Sequence, residues 1–422
     1  MNTRFYNGKL LTMADGMTIT EGEVWVENST ITCCGTPDCA GEVRFDREID
    51  LGGNLLMPSF KNAHTHSAMT FLRSYADDLP LQSWLFDRVF PMEAKLTAED
   101  IYHLTKLAYL EYLTSGVTAC FDMYFHHESV AKASTEMGFK TVLCGSVSGD
   151  ESNAERLESY YNEYKDYNSL VTFRLGFHAE YTADKALMQA IAKLAEKYQA
   201  PVFTHCSETA KEVEDCIRRY GMTPPALFDA LGLWNYSGGA FHCVHVTDSD
   251  MEILKKHNIG VVTNPSSNAK LASGIAPVNE MFKRGISLSL GTDGPASNNC
   301  LDMFREMFLA SSLQKLREND AAALDGDDVL RMAVCGGAQC MGLPDCDTME
   351  VGKKADLIVI DLHQPNMQPI NNITKNIVYS GSKQNVKLTM VNGKILYEDN
   401  RFTTADAEEI YANANRIINS MR

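Results

Sequence analysis

His64 and His66 stand one residue apart in Ser59-Phe60-Lys61-Asn62-Ala63-His64-Thr65-His66. In a strand alternate side chains share a face, so both imidazoles can reach a single divalent ion. An isolated HxH pair is weak evidence, because a working site also needs further ligands, a base, a proton donor and a pocket. The chain offers candidates for each. Short apolar runs end in His178, in His205 with Glu208 three residues on, in His242 and His245, and in Asp293. Any one of these is explained as an ordinary satisfied polar residue, but the set is not. Three histidines and a carboxylate converging at one rim suit Zn2+ or Fe2+, with one position open to solvent.

The elements that must position them follow from the rhythm of the sequence. Apolar runs at 59–64, 117–121, 141–144, 171–175, 201–205, 240–244, 259–262 and 286–290 alternate with amphipathic stretches of helical length. Eight such strands predict a (β/α)8 TIM-type barrel of the α/β class, whose sites lie at the strand C-termini. Pro58 cannot donate to a ladder, so the first barrel strand is placed after it, at Ser59. That register puts Phe60, Asn62, His64 and His66 inward and leaves Lys61 toward the helices, where the sequence offers no partner for its ammonium. Both termini read as short β segments, with Asn392-Gly393 as a hairpin turn. The expected organisation is a small β-sandwich domain from 1–56 plus 350–402, a barrel over 57–349 and a C-terminal helix over 403–422.

Composition sets the outer bounds. Lys plus Arg total 38 and Asp plus Glu 55, a net charge of −17 that repels a phosphate backbone and excludes nucleic acid as a partner. No apolar run approaches the roughly 18–20 residues that span a bilayer, and no signal-type apolar region follows Met1, so a cytoplasmic protein without membrane partners is expected. A homo-oligomer stays open. The twelve cysteines form no C-x2-C pair, which predicts small buried hydrophobes in a reducing compartment and neither a disulfide framework nor a Cys-rich zinc site. His178-Ala179-Glu180 imitates half of the H-x-E…P-C-x-x-C zinc deaminase signature, but the P-C-x-x-C half is missing.

Five motifs carry a resemblance. His64-x-His66, Thr204-His205-Cys206-Ser207-Glu208-Thr209, Ala240-Phe241-His242-Cys243-Val244-His245, Asn264-Pro265-Ser266-Ser267-Asn268 and Gly291-Thr292-Asp293-Gly294-Pro295-Ala296-Ser297-Asn298-Asn299 resemble the amidohydrolase superfamily in order. Trp84 through Pro91-Met92-Glu93-Ala94-Lys95-Leu96-Thr97 is similar to its methylthioadenosine/S-adenosylhomocysteine deaminase branch. The resemblance implies one divalent metal ion, zinc or else iron, on His64, His66, His205 and Asp293. Binuclear members carry a lysine at the end of the fourth strand, where this chain has Phe177-His178-Ala179-Glu180. It further implies Glu208 as proton shuttle, His242 as orienter of the attacking water and Asp293 as the acceptor of its proton. Trp84, Glu93, Arg156, His178 and Ser297 would bind substrate, Glu93 through the ribose hydroxyls.

The implied reaction is hydrolytic deamination of adenosine-type nucleosides: 5′-methylthioadenosine, 5′-deoxyadenosine, adenosine and S-adenosylhomocysteine. Leu143 through Gly149 lacks a second arginine that the branch often carries, which disfavours substrates bearing a carboxylate. Neighbouring branches act on guanine, pterin or triazine rings, and that class is the alternative. A non-catalytic relative is a remoter one, opposed by the intact ligand set.

Overall fold

Alternation of apolar and polar residues at the N terminus produces strands with one buried face. In the computed structural model, which describes residues 1–35 and 43–421, these are β1 (Asn2–Leu11), β2 (Ile19–Glu27), β3 (Thr30–Gly35), β4 (Arg47–Asp50) and β5 (Leu55–Pro58). The barrel strands follow: β6 (Phe60–Thr65), β7 (Val117–Met123), β8 (Lys140–Cys144), β9 (Val171–Ala179), β10 (Val202–Cys206), β11 (Gly238–His242), β12 (Ile259–Thr263) and β13 (Leu288–Leu290). The chain then returns with β14 (Leu357–Ile360), β15 (Val386–Val391), β16 (Lys394–Glu398) and β17 (Arg401–Phe402).

Nine terminal strands make one mixed sheet in the order β17-β16-β15-β14-β5-β1-β2-β3, with β4 beside β1. Phe5, Val24 and Val26 share one apolar cluster with Leu388, Met390 and Ile395 from the far side of the sheet, so the sheet curls on itself as a sandwich does. The β15–β16 hairpin turns on Asn392 and Gly393 at φ 47° and 75°. A Cβ at Gly393 would lie 1.8 Å from the Asn28 carbonyl oxygen, so only glycine fits that second turn position.

The barrel strands pair in parallel from β6 to β13. They are short and buried on both faces, the signature of a sheet enclosed by its own crossover helices. No ladder joins β6 to β13. Instead the Asn62 side chain bonds the Thr292 N–H (2.9 Å) and hydroxyl (2.7 Å), and the Asp293 N–H donates to the His64 carbonyl at 3.1 Å. This polar seam sits directly beneath the ligand candidates. The helix Ala407–Met421 packs Ile410, Ala414 and Ile417 into the main core, and among the described residues no helix is long and apolar enough to cross a membrane.

The register of β6 differs from expectation. Along β7 the partners run Asn62↔Cys120 then Thr65↔Asp122, so β6 spends three steps against two and carries a bulge. Before the bulge, Phe60 faces outward, its ring 5.2 Å from Phe304 in the helix Met303–Glu318, while Ala63 joins Phe121, Phe203 and Phe241 inside. Lys61 therefore points into the closed end of the barrel rather than toward the helices. It is fully buried, donates to the Ser59 carbonyl (3.0 Å) and hydroxyl (2.7 Å), and shares the barrel floor with the Lys140–Asp356 ion pair at 2.5 Å. The extra residue then lets His64 follow Ala63 to the inner face. Ten described cysteines are free thiols and seven of these are buried, as expected of small hydrophobes, but Cys33 is disulfide-bonded, which the spacing did not foreshadow.

Candidate active site

The ends of β6, β10, β11 and β13 bring His64, His66, His205, His242 and Asp293 to a common centre above the interior phenylalanines. His64 stacks on Phe241 at 3.8 Å between ring centroids, and its Nε2 lies 3.6 Å from Asp293 Oδ1; that of His66 lies 3.3 Å away. His64, His66 and Asp293 form one group of ligand atoms within 4.8 Å of one another, and His64, His205 and His242 form a second. Non-glycine residues in left-handed backbone cluster here, namely Ser207 (φ 51°), His242 (72°), Cys243 (47°) and Asp293 (58°). Such conformations cost of order 1–3 kcal/mol each and persist where surrounding packing dictates them, here turning side chains inward as the strands end.

Three imidazoles are held by their far nitrogen. His66 Nδ1 donates to the Met123 carbonyl at 2.6 Å, His205 Nδ1 to the His178 carbonyl at 2.6 Å and His242 Nδ1 to Asn268 Oδ1 at 2.7 Å. Each arrangement directs Nε2 at the centre. His64 differs: it is fully buried, neither nitrogen has a hydrogen-bond partner, and burial holds its pKa well below the usual imidazole value. A buried polar atom left without a partner costs about 1–3 kcal/mol, which a cation on His64 Nε2 would relieve. Asp293 is fixed by the Gly294 N–H at 2.8 Å and by hydroxyls of Ser267 (2.6 Å) and Ser297 (2.8 Å). Three imidazole nitrogens and a braced carboxylate fit a divalent ion.

Beside this group opens a cavity of about 540 Å3, within the range of small-molecule sites, reached by His66, His205, Glu208, His242 and Asp293. Glu208 is buried, and burial raises its carboxyl pKa; Oε2 lies 3.9 Å from His242 Nε2 and Oε1 accepts from Ser273 at 3.4 Å. Its backbone is pinned by Glu212, which accepts the N–H groups of Ser207 and Glu208, both at 2.8 Å, and closes a capping box with Thr209. Burial, with Glu208 nearby, pushes Glu212 up to about 8.

The expected substrate residues divide. Trp84, Glu93, Arg156 and His178 all line the cavity. Trp84 and Glu93 are buried there, whereas Arg156 is exposed at the rim over the Tyr160 ring at 5.6 Å. His178 bonds Thr182 through Nδ1 at 3.0 Å, and burial pushes it down to about 4. Ser297 is absent from the cavity lining: it is 1% exposed and its hydroxyl serves Asp293. His245 bonds the Ser273 carbonyl at 2.7 Å, steadying the loop that carries the Glu208 partner. The sequence alone gives Asn268, Ser267, Glu212 and Tyr124 no individual role. The spacing of Thr209 and Glu212 is a legible capping signal, while the others bond partners 26 to 31 residues away.

The amidohydrolase family profile matches residues 55–396. The 5-methylthioadenosine/S-adenosylhomocysteine deaminase of Caldanaerobacter subterraneus subsp. tengcongensis is 39% identical, over 97% of this chain and 96% of its own. The 5′-deoxyadenosine deaminase of Methanobrevibacter smithii is 38% identical, over 95% and 94%. A zinc-bound adenosine deaminase structure from Xanthomonas campestris matches with a TM-score of 0.94 at 32% identity, covering 100% of this chain and 98% of that one. Because the matched stretch takes in every barrel strand and all four ligand candidates, this chain belongs to the amidohydrolase family.

Proposed function

We propose that this protein is a metal-dependent hydrolytic deaminase of adenosine-type nucleosides, among them 5′-methylthioadenosine, 5′-deoxyadenosine and adenosine, yielding the inosine analogue and ammonia. The carrying observation is that one cavity joins a buried acid beside the ligand cluster, Glu208, to a second buried carboxylate, Glu93, that lies outside the cluster. The first suits proton transfer to a ring; the second suits a sugar diol.

His64, His66, His205 and Asp293 would hold one ion, zinc by preference for such a donor set. Bound there, it supplies the Lewis acidity that brings the pKa of water toward about 7. His242 orients the attacking water through Nε2, and Asp293 accepts its proton. Attack at C6 pushes charge onto N1, so Glu208, whose burial favours the protonated form, delivers its proton to N1, takes one back from the hydroxyl newly bonded to C6 as the carbonyl forms, and passes it to the amine, which leaves as ammonia; the proton held by Asp293 then restores Glu208. Without a lysine at the end of β9 there is no bridge for a second ion. Elemental analysis should find about one divalent ion per chain, the number that a single four-residue ligand set holds, and two tightly held ions would contradict this assignment.

Glu93→Ala tests the sugar assignment. A charge-assisted contact worth about 1–3 kcal/mol predicts a roughly five- to 150-fold loss of kcat/KM for nucleosides with metal content unchanged. Normal nucleoside turnover by this variant would overturn it. The same group sets a pH dependence. Burial pushes Glu93 up to about 7, so below that pH the free enzyme carries a neutral carboxyl that accepts hydroxyl donors more weakly. KM for nucleosides should rise as pH falls from about 8 to about 6, and a flat KM over that window would exclude Glu93 from binding.

A further inference from the structure

Glu93 and Tyr124 reach the cavity from separate parts of the fold. Glu93 ends the short helix Phe90–Glu93 in the connection between β6 and the helix Ala98–Thr114, whereas Tyr124 follows β7 on the barrel rim. The Tyr124 hydroxyl donates to Glu93 Oε1 at 2.6 Å, with the two residues only 2% and 8% exposed. Tyr124 is itself held, its carbonyl accepting from Ser146 at 2.9 Å and its ring stacked on Phe125 at 4.1 Å between centroids. Among the described residues the Glu93 carboxylate makes no other hydrogen bond and no ion pair. A carboxylate offers about four acceptor sites, and only one is used. In a pocket walled by Trp84, Leu85 and Phe90, the remaining capacity is directed at donors that a ligand brings.

Resting on the nucleoside reading above, we infer that Tyr124 is the positioning residue for sugar recognition. By holding Oε1 it fixes the rotation of the Glu93 carboxylate, so that the free acceptor sites meet both hydroxyls of a vicinal diol at once. Discrimination for cis-diol nucleosides is then a joint property of the two residues. A strut that merely pinned the connection to the barrel would alter all substrates alike, whereas a positioning role acts only where there is a diol to recognise.

The test measures ammonia release from adenosine and from 2′,3′-dideoxyadenosine by the metal-loaded wild type, Tyr124→Phe, Glu93→Ala and the double variant. Loss of one hydrogen bond to a charged group predicts that Tyr124→Phe raises KM for adenosine about tenfold with kcat within about threefold, and leaves dideoxyadenosine unaffected. In the Glu93→Ala background, adding Tyr124→Phe should change neither substrate. An equal loss on both substrates, an unchanged adenosine KM, or a further loss in the double variant would overturn the inference. If instead the wild type handles the two nucleosides alike, sugar recognition itself fails, and the inference falls with that reading for a different reason.

Discussion

Glu208→Gln should retain its metal and lose about a hundred- to ten-thousandfold in kcat, the range that a positioned acid–base group contributes. The glutamine amide is nearly the size of the carboxyl and can still accept from Ser273, so the cavity and the capping box on Glu212 should survive. It cannot give up and recover a proton. Because the deficit arises when charge builds on the ring and not when substrate binds, it should appear in kcat while KM stays near its wild-type value. Single-turnover measurement alongside metal analysis checks this, and a kcat within about threefold of wild type would remove Glu208 from proton transfer.

Asp293→Asn should be at least as damaging, by two routes. The substitution removes the single anionic donor from a set otherwise made of neutral imidazoles, weakening the hold on a divalent ion. It also removes the group that takes the proton from the attacking water. Together these predict a loss in kcat/KM of about a thousandfold or more, with metal content well below one ion per chain in the absence of added zinc. Ser297→Ala provides the contrast. It takes away one of two hydroxyls that brace Asp293 Oδ2, leaving the Ser267 bond at 2.6 Å. The cost of one such neutral bond, about 1 kcal/mol, predicts a loss of only about five- to tenfold. An Asp293→Asn enzyme with full metal and activity would displace Asp293 from both roles.

The barrel was legible because eight apolar runs of strand length alternate with stretches of helical length, the rhythm that successive βαβ units impose. β12, expected at 259–262, spans Ile259–Thr263. β9 runs past its expected end at 175 to Ala179, because burial continues through Phe177 and His178 lies within the strand itself. The inward set of β6 was not legible. A strand's faces alternate with period two, so one inserted residue reverses every assignment before it, and nothing in Phe60-Lys61-Asn62-Ala63 announces the bulge. Lys61 was thereby assigned to the wrong side, where it had no partner; on the barrel floor it finds Ser59 and the field of Asp356.

In the site the ligand residues could be read because their types are rare at strand ends. Their supports could not. Asn268 is an ordinary polar residue until the fold places it 2.7 Å from His242, and Ser297 looks like a substrate contact until burial places it beneath Asp293. Tyr124 and Glu93 are 31 residues apart, on elements whose approach depends on how the β6 connection folds over the rim.

The measurement that bears most directly on the central claim is ammonia release by the purified metal-loaded protein across adenosine, 5′-methylthioadenosine, 5′-deoxyadenosine, adenine, guanine and an aminotriazine. If Glu93 recognises the sugar and Glu208 the ring, losing contacts worth about 1–3 kcal/mol predicts kcat/KM for the nucleosides at least roughly fivefold above that for adenine, with guanine and the triazine poorer still. A preference for adenine, guanine or the triazine over every nucleoside would contradict the account.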